Sequence, residues 1–121
     1  MCRELILQVI EKKKDLYLKL HRLDLKMLEI EEQFAFASDD DLQVKQKMID
    51  DVEVKRLDTQ MKLNRTQLFG LRHAKGSEPQ CLSCFVEDGD LPKMAQIKSE
   101  IFVTYLYKCE RCNKELRLAP I

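Results

Sequence analysis

The chain has 121 residues, 45% hydrophobic and 35% charged, with only three glycines and three prolines. That charge is high for a compact globule but normal for long exposed helices, and so few glycines and prolines exclude a turn-rich chain. The 21 basic and 21 acidic residues cancel, overall and nearly by segment, so no global field draws the protein onto nucleic acid.

From Arg3 to Ala37 no glycine or proline interrupts the chain. Ile6, Val9, Leu16, Leu20, Leu23, Met27, Ile30 and Phe34 fall, with Lys13, at alternating steps of three and four, a heptad seam. Leu18, Leu25 and Leu28 lie off that seam. They widen the apolar face beyond what two helices need and suggest further packing or a homodimer.

Ser38-Asp39-Asp40-Asp41 then reads as a tight turn opening a second helix from about Asp40 to about His73. Serine and aspartate oxygens accept the free amide hydrogens of a first turn, and their charge suits the positive end of the helix dipole. Candidate seam residues in the second helix are Val44, Met48, Ile49, Val52, Val54, Leu57, Met61, Leu68 and Leu71. In an antiparallel hairpin, facing residues have a nearly constant sum of positions. Ile6 with Leu71, Val9 with Leu68, Leu16 with Met61, Leu20 with Leu57 and Leu23 with Val54 all give 77. Ile30 with Met48 and Phe34 with Val44 give 78, and Lys13 falls opposite Asn64 as a polar layer. Each helix of ~35 residues would be ~50 Å long.

At Lys75-Gly76-Ser77-Glu78-Pro79 the helical pattern stops, which divides the chain into a hairpin over 1–75 and a smaller unit over 76–121. Cys81-x-x-Cys84 and Cys109-x-x-Cys112 follow, with 24 residues between the pairs. Two such knuckles close a tetrahedral thiolate site, so the expected cofactor is one structural zinc ion. Ile101 to Tyr107 reads as a strand into the second knuckle, Leu116-Arg117-Leu118 as the return strand, and Glu87-Asp88-Gly89-Asp90 as a turn. A unit of ~45 residues has too small a core to stand alone, so the metal supplies folding energy. The fold class expected is therefore mostly α with a small β zinc ribbon.

Four thiolates leave no open ligand position, and no nucleophile, phosphate-loop or metalloprotease motif appears, so no enzymatic activity is expected. His73 and His21 read as solvated helix histidines, Lys12-Lys13-Lys14 as a solvated face, and Cys2 as incidental. The chain begins with charged amphipathic sequence, and five cysteines in that context favour a reducing, cytoplasmic setting. No apolar run is long enough for a membrane span.

The C-terminal segment resembles the bacterial C4-type zinc-ribbon family that carries an N-terminal coiled-coil hairpin. The residues that carry the resemblance are Cys81, Cys84, Leu91-Pro92, Ile97, the strand from Ile101 to Tyr107, Cys109, Cys112 and Leu116. Asn113 stands where a glycine commonly follows, and Lys93 where a second proline does; asparagine tolerates the left-handed conformation. The resemblance implies a regulatory binding protein tied to transcription, with a protein partner and a role for nucleic acid. The four cysteines would hold the zinc. Lys108, Arg111, Lys114 and Arg117 flank the second knuckle and are candidate phosphate contacts, with Tyr105 or Tyr107 as stacking residues. The hairpin also resembles the DksA-like factors that enter the RNA polymerase secondary channel. That likeness would place Asp39, Asp40 and Asp41 at a tip able to approach catalytic magnesium, although capping alone explains three aspartates there.

Overall fold

The computed structural model describes residues 3–73, 80–92, 94–99 and 105–118. Two long helices, α1 (Arg3–Gln33) and α2 (Asp39–His73), pack against each other as an antiparallel hairpin. A short helix, α3 (Leu82–Asp88), and a three-stranded antiparallel sheet of β1 (Met94–Ser99), β2 (Tyr105–Cys109) and β3 (Glu115–Leu118) complete the fold. The strands lie in chain order, with Gln96↔Tyr107 and Tyr107↔Leu116 in register and a bulge between Gln96 and Lys98. The mostly helical fold with a small antiparallel sheet and a four-cysteine cluster is the expected one.

The hairpin turn forms as its composition requires. Ser38 accepts the amide hydrogens of Asp41 and Leu42 through its carbonyl, and its hydroxyl donates to Asp41 Oδ2 at 3.1 Å. That closes the first turn of α2 with three acidic residues at its positive end.

On α1 the buried face is the expected seam with one change. Val9, Leu16 and Ile30 are buried and Leu20, Leu23, Met27 and Phe34 half-buried, but Leu5 is inside and Ile6 is exposed. On α2 the expected seam holds only at Met48, Ile49 and Val52. The side chains that face inward are Val52, Thr59, Leu63, Thr66, Phe69 and His73, while Val44, Val54, Leu57, Met61, Leu68 and Leu71 all point to solvent. Asn64 is exposed as well, so the Lys13–Asn64 layer is absent. Gly70 fixes the true register: a Cβ on it would lie 3.3 Å from Val9 Cγ1. Val9 therefore meets position 70, two residues beyond the position that apolar counting selects. Extending that register places Leu16 at Leu63 and Ile30 at Ile49.

Threonine fills this inner seam in place of aliphatic residues. Thr59 and Thr66 are fully buried, yet each hydroxyl donates to the carbonyl four residues back, to Lys55 at 2.7 Å and to Lys62 at 2.8 Å. The polar group is satisfied within its own helix, and the methyl group packs inward. Val52, Thr59, Thr66 and His73 recur every seven residues, a heptad row written largely in polar letters.

The principal core lies at the base of the hairpin, far from the turn. Leu5 and Val9 of α1, Phe69 of α2, Leu82 and Val86 of α3 and Leu116 of β3 form one buried cluster, with Phe85, Leu91, Met94 and Tyr107 packed on it. The cysteine-bearing unit thus lies along the flank of the helices rather than only beyond their end. His73, expected to be solvated, is 1% exposed; its ring stacks on Phe69 at 4.0 Å and Nδ1 donates to the Phe69 carbonyl at 2.9 Å. His21 is exposed, as expected.

Candidate metal centre

Cys81 and Cys84 sit at the start of α3. Cys81 is the residue before its first turn, with extended backbone, and its carbonyl accepts from the Phe85 amide at 3.2 Å. Placing the first pair on a helix, not on a β-knuckle, is a departure from expectation. Glu87 and Asp88 belong to this helix too; it ends at Gly89, whose φ of 77° lets its amide reach the Phe85 carbonyl at 2.9 Å. Cys109 ends β2 and Cys112 lies in the turn to β3. In that turn Asn113 adopts φ 63° and donates to the Cys109 carbonyl at 3.0 Å, and the Cys109 amide donates to Lys114 at 2.9 Å. Asparagine does here what glycine does elsewhere.

The four sulfurs lie within 4.8 Å of one another. Cys81 Sγ is 3.5 Å from Cys112 Sγ, and Cys84 Sγ is 3.8 Å from Cys109 Sγ. Disulfide sulfurs stand about 2.05 Å apart, so these are four free thiols. A tetrahedron of thiolates about 2.3 Å from a central ion has edges near 3.8 Å, and the observed spacings fit it. Cys81, Cys84 and Cys109 are buried and Cys112 is exposed, with Met94 packed on the inner three.

Burial pushes the Cys81 and Cys84 thiols up, and the neighbouring thiols raise Cys84 further. Burial also pushes Cys109 up, but the amide hydrogens of Cys112 and Arg111 outweigh it and bring the thiol down to about 7. Without a cation, thiolates this close together repel one another. A divalent cation inverts that balance.

Polar contacts tie the cluster to the hairpin. Arg65 Nη1 of α2 donates to the carbonyls of Val86 and Glu87, at 3.1 and 3.3 Å, so it caps the end of α3. Glu87 pairs with Lys62 at 3.0 Å and Lys12 at 3.7 Å. A hydrogen bond from Lys62 holds the Glu87 carboxyl below its usual range, and the same bond raises Lys62. Neither Arg65 nor Glu87 was legible as a site residue; only the fold brings them together.

The proposed contact cations are largely engaged within the chain. Arg111 pairs with Asp88 at 3.3 Å and with Asp90, and Lys114 donates to Ser83 Oγ at 2.6 Å. Lys108 is half-buried, and the Arg117 side chain lies outside the described residues. Tyr107 is half-buried against the core, and the Tyr105 side chain also lies outside the description, as do Cys2, Lys75–Pro79 and positions 101–104. Asp39, Asp40 and Asp41 are exposed at the tip, with Asp41 bonded to Ser38. Among the described residues no helix is long and apolar enough to cross a membrane. Comparison with family models, curated proteins and solved structures finds no match.

Proposed function

We propose that this is a non-enzymatic, zinc-stapled helical hairpin that serves as an adaptor for a protein partner. One observation carries the reading: a closed four-thiol cluster clamps the base of a hairpin whose outer faces stay apolar. The thiols alone suit a soft or borderline cation with tetrahedral preference, and zinc is the commonest such ion. All four ligand positions belong to the protein, so the ion's role is to hold α3 and the sheet against the helices. Leu18, Leu25 and Leu28 on α1 are 47%, 46% and 61% exposed. An apolar face on a charged helix marks a docking surface. A link to transcription, and to nucleic acid, rests on the family resemblance; with Arg111 and Lys114 held by Asp88, Asp90 and Ser83, a protein partner is the better-supported choice.

Native mass spectrometry of the reduced chain and site-specific crosslinking test both halves. One zinc per chain is expected, together with nuclease-resistant crosslinks from a photoreactive residue at Leu25 to a single defined protein. A chain that folds its cysteine unit in chelator, or crosslinks that vanish with nuclease, would refute the reading.

A further inference from the structure

The row of apolar residues that α2 turns away from α1 has its own regularity. Val54, Leu57, Met61, Asn64, Leu68 and Leu71 follow steps of 3, 4, 3, 4 and 3. The five apolar members are 67%, 73%, 41%, 57% and 71% exposed in that order. This is a second heptad seam on one helix, and none of the described residues covers it.

We propose that its occupant is a second copy of this chain, packed antiparallel along α2. Three observations select that occupant and that direction.

The spacing is the first. It reads the same from either end, so a reversed copy sets Val54 on Leu71 and Leu57 on Leu68. Asn64 falls beside the two-fold axis against Met61, and a single polar residue in a seam fixes register.

Charge is the second. The tip half of the hairpin, residues 18–58, has 7 basic and 11 acidic side chains, a net of −4. The base half, 3–17 with 59–73, has 7 basic and 3 acidic, a net of +4. Parallel copies would stack like charge on like. Antiparallel copies lay the acidic half of one on the basic half of the other.

Area is the third. The five apolar residues expose on the order of 600 Å², and a stable interface needs about 800 Å² per partner, which the flanking Glu53, Gln60 and Gln67 can supply.

Sedimentation of the zinc-loaded, reduced full chain across a concentration series tests the pairing. A reversible dimer with a dissociation constant in about the micromolar range is expected. Leu57→Lys with Leu68→Lys should weaken it at least about a hundredfold, because each loss occurs twice. These positions are exposed in the monomer, so helicity and zinc content should hold and serve as controls. Leu25→Lys, on α1, should leave the dimer unchanged. Spin labels at Asp40→Cys in a Cys2→Ser background, with zinc in excess, report direction. Tip-to-tip separation near 70 Å follows from 1.5 Å per residue, against less than about 30 Å for parallel copies. A strict monomer at about 100 µM, a dimer indifferent to the Leu57 and Leu68 changes, dissociation by Leu25→Lys, or a short tip distance would each overturn the proposal.

Discussion

Phe69 is the residue through which the metal unit and the hairpin feel each other, and Phe69→Ala should weaken metal binding from outside the ligand set. Its ring is fully buried, stacked on His73 and packed in a cluster whose other buried members are Leu5, Val9, Leu82, Val86 and Leu116. Removing a ring from such a core costs about 3–5 kcal/mol. Three of those five neighbours, Leu82, Val86 and Leu116, belong to α3 and β3. Their contacts with Phe69 exist only while the cysteine unit is folded. About half of the loss, ~2 kcal/mol, should therefore appear only in the metal-bound protein, and by linkage lower metal affinity about 30-fold. Competition with a chromogenic chelator measures the affinity; urea melts with and without metal measure the two stabilities. An affinity within about twofold of the parent, alongside a clear loss of stability, would show that the metal unit folds without the hairpin and refute the coupling.

Cys84→Ser or Cys109→Ser should abolish stoichiometric zinc and melt the sheet while the far end of the hairpin keeps its helicity, seen by native mass spectrometry and hydrogen exchange. Leu63→Ala, at a position 2% exposed, should cost about 2–5 kcal/mol, whereas Asn64→Ala should change stability by less than about 0.5 kcal/mol in dilute urea melts. The reverse order would restore the register that apolar counting favours. Thr66→Val should stay within about 1 kcal/mol of the parent in thermal melts, because its hydroxyl and the carbonyl it meets lie in one helix. Arg65→Met keeps the aliphatic stem but loses both bonds to the end of α3; a stability loss of about 1–2 kcal/mol and faster zinc exchange are expected.

The cysteine pairs were legible because ligand spacing is written locally, and so was α1, whose inward positions are nearly all leucine, isoleucine or valine. The second helix misled for a physical reason. It has two heptad rows, and the more hydrophobic one, Val54 to Leu71, faces solvent. The inner row runs through Thr59, Thr66, Gly70 and His73, residues that pack well only because a hydroxyl can bond back to its own helix or because a missing side chain admits Val9. Constant position sums cannot separate two rows two residues apart. Strand β1, Met-Ala-Gln-Ile-Lys-Ser, has weak intrinsic preference and owes its place to pairing with β2. Helix α3 is seven residues long, too short for periodicity to declare itself.

The two ends of the hairpin are closed by different chemistry. At the tip a covalent turn joins α1 to α2, and no solution condition short of proteolysis opens it. At the base, the thiol cluster and the core around Phe69 act as a clasp, one that, with the proposed metal bound, a chelator or an oxidant would undo. Loss of the clasp therefore frees the rod at its base, while the chain still joins the two helices at Ser38. A ligand that grips the lower half of the rod would sense the redox and metal state of its surroundings, while one that grips the tip would sit some 50 Å of paired helix away.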